Sequence, residues 1–251
     1  MADRARDTFP EVVYVHTASG DISTARNAAL STGVELAPFV VCVDDDCVPQ
    51  PGWLAELLRV ENESDAAIVV GHHQFVPTES SPTWLRREPF LQEHPLYEDG
   101  AVPVVGNMSN VLIRSSWLAS TGVRFNPDLG RLGGEDMVFF ADAKAAGAEI
   151  RFAAGSVVFE PCDARRSTFR YQLWRQVWLG NNEAQINART GELRRSRLAV
   201  RGLRRVARGL VWPLRALAKN RRLELRWALA LAASGVGLVA GAAGVQMAHR
   251  A

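Results

Sequence analysis

The chain has 251 residues, with 29 basic and 27 acidic side chains, a formal charge of +2 and 47% apolar residues. Ordinary hydrophobicity at near-neutral charge excludes a disordered polymer and argues against a dedicated nucleic-acid binder. The average hides a split: residues 1–188 hold 15 basic and 25 acidic side chains, a net of −10, while 189–226 hold 13 and 2, a net of +11.

Taken in chain order, residues 11–16 (Glu-Val-Val-Tyr-Val-His) predict a short strand. Asp21-Ile22-Ser23 offers caps for an Ala-rich helix that Gly33 is expected to end. Residues 39–43 (Phe-Val-Val-Cys-Val) form an apolar run, as a strand buried on both faces does. It breaks into Asp44-Asp45-Asp46, and a helix is predicted from Trp53 to Val60. Residues 66–71 predict another buried strand, and 76–105, with five prolines, a long loop. A strand over 110–113, a helix over 137–147 and one or two short strands over 148–159 follow, and the pattern is helical from Arg165. Strand–helix alternation with carboxylates at a strand end describes an α/β fold with an open sheet and its site at the strand tips.

Three aspartates after a buried strand are costly to hold together, because like charges raise one another's pKa. A divalent cation removes that cost, and oxygen-only ligands favour magnesium or manganese. The alternative is a solvated acidic turn that caps the next helix. Gly133-Gly134-Glu135-Asp136 opens a helix, where two glycines admit close backbone approach and carboxylates meet the helix N-terminus. Alone this is as much a helix start as a catalytic base; with the aspartate triplet it reads as a two-carboxylate site, one group holding a metal and the other taking a proton. The three cysteines, Cys42, Cys47 and Cys162, are odd in number, lack zinc-ligand spacing and suggest a reducing compartment. The polar first ten residues do not read as a signal peptide.

Four motifs in order carry a family resemblance: Ser23 to Leu30 with Arg26-Asn27; Phe39 to Asp46 with Pro49, Pro51, Gly52, Trp53 and Leu54; Gly106-Asn107-Met108 with Arg114 and Phe125; and Gly133 to Asp136. Together they resemble glycosyltransferase family 2, whose fold is GT-A, a mostly parallel sheet flanked by helices. The resemblance implies that Asp44 and Asp46 are the ends of a DXD motif, with Asp45 between them, contacting ribose and holding Mg2+ or Mn2+. Arg26 and Asn27 would lie near the nucleotide, and Gly106 and Asn107 would border the donor sugar and acceptor. Asp136 matches the catalytic base and Glu135 its support. Gly133, Gly134, Trp174 and Arg175 fall on the acceptor side, the last two on a helix with Gln172 and Trp178. The implied reaction is inverting displacement on a nucleotide-diphosphate sugar by a glycan or lipid-linked hydroxyl.

The pattern departs from the family at two places. Asp44 follows only one short strand and one helix, so the domain is expected to lack its N-terminal part and to expose a sheet edge. Glu160 stands near a position where related enzymes place a metal-binding histidine, and reads as a surface glutamate before Pro161. His72, His73 and His94 show no ligand spacing; His72 and His73 alternate faces, so at most one points into a site.

Residues 1–188 are thus expected to form the catalytic domain. Residues 189–226 form a basic amphipathic helical segment, with Leu203, Val206, Leu210, Leu214 and Leu217 at spacings of three and four and a bend near Pro213. Residues 227–251 form an apolar helix, uncharged over 227–248, which spans a membrane, lies in its plane or packs on the domain. Arginines beside that run suit anionic headgroups at the cytoplasmic face of the cell membrane, whereas the acidic domain would repel a nucleic acid. Two other readings remain open: an inactive truncated transferase serving as a membrane scaffold, and a haloacid-dehalogenase-type phosphatase built on Asp44 and Asp46, for which Lys144 comes in the wrong order.

Overall fold

A computed structural model describes residues 11–18, 20–86, 96–103, 106–130, 133–191, 193–218 and 225–248, side chains excepted at 189–190 and 214–218. The predicted strand at 11–16 is irregular, with Val13, Tyr14 and Val15 exposed. A strand is held by its neighbour's hydrogen bonds, and no described strand pairs with this segment.

Helix α1 (Ile22–Leu36) starts where expected: Asp21 Oδ1 accepts the Thr24 N–H at 2.8 Å. It does not stop at Gly33. A Cβ there would lie 2.9 Å from Val40 Cγ2, so the glycine serves close packing of α1 on the next strand rather than termination. The helix ends just before Pro38, as the residue preceding a proline is pushed out of the helical region.

The sheet contains β1 (Phe39–Val43), β2 (Val48–Pro49), β3 (Ile68–Pro77), β4 (Asn110–Arg114) and β5 (Ile150–Cys162), in the order β1-β4-β3-β5-β2. The α/β class is as expected, but the sheet is mixed rather than mostly parallel. Only β3 and β5 run parallel; β1–β4, β4–β3 and β5–β2 are antiparallel. Parallel neighbours need a crossover, usually helical. Helices α3 (Ser115–Thr121) and α4 (Glu135–Ala145) lie between β3 and β5 in sequence, while no helix joins β3 to β4 among the described residues. Among the described strands β1 is an edge, and its residues are half-buried or exposed, not buried on both faces.

Alternation along the inner strands divides the core. Ile68, Val70, Val111 and Ile113 face Phe125, Phe139 and Phe140 on one side of the sheet. Val69 and Leu112 face Leu57 and Val60 of α2 (Trp53–Ser64) on the other.

Three helices follow: α5 (Phe169–Thr190), α6 (Arg195–Ala218), which runs through Pro213, and α7 (Leu225–Ala242). Helix α7 is long and apolar enough to cross a membrane by length and composition. Its small residues meet the two other helices. A Cβ at Gly237 would lie 1.8 Å from Val177 O, and one at Gly235 2.6 Å from Gly202 O, so only glycine lets α7 approach α5 and α6 this closely.

Candidate active site

The turn after β1 and the start of α4 are brought together by one residue of α1. Arg26 Nη1 donates to Asp136 Oδ1 and, at 3.0 Å, to Glu135 Oε1, while Nη2 donates to Asp44 Oδ1 at 3.3 Å. The other oxygens of the two aspartates are occupied as well. Asp44 Oδ2 accepts the Ser109 hydroxyl at 2.8 Å, and Asp136 Oδ2 accepts the Met108 N–H at 3.0 Å. Asn107 Oδ1 accepts the Ser109 N–H at 3.1 Å and shapes that turn. Gly106 lies against the Phe140 ring, where a Cβ would come within 2.6 Å of ring carbons.

Three carboxylates therefore share one guanidinium. Burial and the charge of Asp136 push Glu135 up to about 7, and burial raises Asp136, with Arg26 pulling it back. Burial opposes the charge on Arg26, but Asp136, Asp44 and Glu135 outweigh it and raise its pKa. A carboxyl held above its ordinary 4.5 stabilises the fold fully below that value, and the contribution is lost as pH rises through about 7. The melting temperature of Glu135→Gln should therefore gain on that of the unsubstituted chain between about pH 5 and pH 8. A difference that stays constant with pH would contradict this.

Asp45 is exposed. Asp46 turns away from Arg26 toward Arg166, whose Nη1 donates to Asp46 Oδ2 at 3.3 Å and also to Glu160 Oε1. Glu160 is a correction: it is buried, not a surface residue, because β5 continues to Cys162 and places it beside Phe75 of β3. Its Oε2 lies 2.8 Å from His73 Nε2. Burial and Glu160 raise the Asp46 pKa, and Arg166 relieves it. A cation, Arg166, thus stands between Asp46 and Glu160, and the carboxylate oxygens of Asp44 and Asp46 are donors of the kind that suit magnesium or manganese. Arg26 is the cation that donates to Asp44, and Lys144 donates to the Pro103 carbonyl.

Asn27 spends both ends of its amide on the Phe125 main chain, at 2.8 Å each, and fixes the segment leading to the acidic pair. Gly133 and Gly134 have φ of 81° and 84°, a conformation that favours glycine. A Cβ on Gly133 would strike Trp178 of α5 at 2.3 Å, and Asn182 is the side chain nearest Gly134. Arg175 instead lies 5.0 Å over the Phe75 ring, where burial lowers its pKa, and Trp174 is half-buried on the same helix. The loop contact of Ser109 and the bridge through Arg166 have no signal in the sequence, since each depends on elements distant along the chain.

Residues 1–118 match the profile of Glycosyl transferase family 2. The chain is 30% identical over 191 residues to the succinoglycan biosynthesis protein ExoM of Rhizobium meliloti (strain 1021), which covers 75% of this chain. The chain spans 60% of the length of that curated relative. Among solved structures it is similar to S. aureus TarS 1-349 in complex with UDP-GlcNAc, at 14% identity and a TM-score of 0.48 over 94% of this chain and 76% of that one. The UDP complex of the same protein gives 17% identity and a TM-score of 0.47, over 94% and 75%.

Proposed function

Because this chain belongs to glycosyl transferase family 2 through residues 1–118, we propose that it moves a sugar from a nucleoside-diphosphate donor to a hydroxyl of a glycan or lipid-linked acceptor, with inversion at the anomeric carbon. One observation carries the reading: Arg26 gathers Asp44, Glu135 and Asp136, three carboxylates from two separate motifs, onto one guanidinium. Asp136 takes the proton from the acceptor hydroxyl as its oxygen attacks the anomeric carbon and the bond to the diphosphate breaks. Glu135, the second acid on Arg26, keeps Asp136 from holding that guanidinium alone. Arg26 provides positive charge beside the donor, and Asp44 with Ser109 lines the nucleotide side. Asp46 and Asp44 would hold a magnesium or manganese ion, which would supply charge to stabilise the departing diphosphate. The acceptor approaches past Gly133 and Gly134, under Trp178. The decisive measurement is the anomeric configuration of the first-formed product by NMR: inversion is expected, and retention overturns the mechanism.

Residues 1–188 make up the catalytic unit in this reading, and 189–226 with 227–251 the membrane-facing part. The relative's role in succinoglycan biosynthesis favours a cell-surface glycan as the product. Helix α6 supports an in-plane seat on the cytoplasmic face of the membrane. Val200, Leu203 and Leu210 are exposed along it, at 47%, 59% and 65%, with exposed Arg201, Arg204 and Arg208 among them. Each basic residue near an anionic surface is worth about 1 kcal/mol. Reversing two of them (Arg204→Glu with Arg208→Glu) should weaken sedimentation with phosphatidylglycerol vesicles by at least about tenfold. Equal binding to neutral phosphatidylcholine vesicles would remove the electrostatic part of the proposal.

A further inference from the structure

Outside the Arg26 cluster, the sheet assembles a second group of metal-ligating side chains. The sulfur of Cys47, a ring nitrogen of His73 and a carboxylate oxygen of Glu160 all lie within 4.8 Å of one another. We propose that Cys47, His73 and Glu160 bind a borderline-soft divalent cation of the zinc class, at a site that adjoins the Asp44–Asp46 turn but takes none of its ligands from those two carboxylates.

The backbone builds this site in advance. Strand β5 is the centre of a three-strand patch, with β3 parallel on one side and β2 antiparallel on the other. Val48 pairs with Phe159, so the residue before it, Cys47, enters the strand at the level of Glu160. His73 pairs with Val158 and Phe75 with Glu160, which puts His73 on the same stretch of β5 from the other side. The Cys47 N–H donates to the Asp44 carbonyl at 3.1 Å and fixes the turn that carries the sulfur. His73 and Glu160 are buried at 2% and 7% exposure, and Cys47 is half-buried, so the ligands are held by packing rather than left on mobile side chains.

The donor set decides the class of ion. One sulfur, one nitrogen and one oxygen suit zinc, whereas magnesium and manganese prefer oxygen alone. Three protein ligands leave a fourth position for water, as in open zinc sites. The charges also balance: a 2+ ion, a thiolate, a carboxylate and a neutral imidazole sum to zero, an arrangement that a buried site tolerates. Binding forms the sulfur–metal bond as the thiol proton leaves to solvent, and no oxidant or reductant is needed. Glu160 Oε2 faces His73, while Oε1 faces Arg166, whose same nitrogen reaches Asp46. An ion drawing on Glu160 competes with Arg166 and leaves that arginine to Asp46.

The test uses the full chain, stripped with chelator under reducing conditions and titrated with Zn2+ against a chromogenic chelator in excess Mg2+. One zinc per chain is expected. Co2+ loaded in its place should give a thiolate-to-cobalt charge-transfer band. Cys47→Ser, on a half-buried turn, should abolish that band and weaken zinc binding at least about tenfold, and Glu160→Gln should weaken it as well. Asp46→Asn, which leaves Arg166 to Glu160, should keep the cobalt band and weaken zinc binding less than Cys47→Ser does. Absence of stoichiometric zinc, a cobalt complex without the thiolate band, or loss of zinc with Asp46→Asn while Cys47→Ser retains it would each overturn the proposal. None of these readouts involves sugar transfer, so the site stands or falls apart from the function proposed above.

Discussion

Asp136→Asn should lower the rate of sugar transfer by about 10³-fold, within the range that a positioned general base contributes, while donor affinity changes little. The substitution keeps the size of the side chain, and its retained oxygen still accepts from Met108 N–H or Arg26. Arg26 keeps Glu135 and Asp44 as counter-ions. Isothermal titration with the nucleoside-diphosphate sugar separates the two effects. If donor binding is lost together with transfer, Asp136 serves the metal or the diphosphate and the base must be sought elsewhere. Glu135→Gln should cost less than Asp136→Asn, because Glu135 acts on the acceptor only through its neighbour.

Arg26→Met should destabilise the fold by about 3–5 kcal/mol near neutral pH, since deleting one partner of a buried ion pair leaves uncompensated charge behind. The side chains of Arg26, Glu135 and Asp136 retain only 16%, 11% and 20% of their exposure, so solvent screens them poorly; Asp44, at 35%, suffers less. The loss depends on pH in a definite direction. Without Arg26 the carboxyls are held still higher above their ordinary values, so the variant recovers stability as pH falls and they protonate. Thermal melts of the two proteins between about pH 5 and pH 8 measure this. A deficit that does not shrink toward acid would mean that Arg26 stabilises through packing on Phe125, which its guanidinium covers at 5.5 Å, rather than through charge.

Much of this arrangement was legible in the residues. The Phe39–Val43 run became β1 with the predicted boundaries, because five consecutive apolar residues ahead of a polar turn leave few other solutions. The cap at Asp21 and the helix opened by Gly133-Gly134 followed from local chemistry, as side-chain oxygen and positive φ act within a turn of the chain. Gly33 misled for the opposite reason. Whether a glycine ends a helix or admits a neighbour depends on what lies across from it, and Val40 could not be placed from the sequence. The strand expected at 11–16 failed likewise, since strand propensity is realised only against a partner.

Glu160 and Cys47 make the same point at the level of chemistry. Read along the chain, one was a surface glutamate and the other a cysteine without ligand spacing. Their sites are set by sheet register, which pairs residues more than a hundred positions apart. The sequence alone determined the inventory: an α/β fold, a run of aspartates at a strand end, a Glu-Asp pair at a helix start and a basic stretch distinct from an acidic body. Only the tertiary structure decided who meets whom: that Arg26 binds three carboxylates, that Asp46 turns to Arg166 rather than to Arg26, and that α7 seats its glycines on α5 and α6. Composition and short-range propensity are properties of neighbours along the chain. Ion pairing, burial and ligand geometry depend on distances across the fold, and a strand pairing or a glycine contact sets those only once the chain has closed on itself.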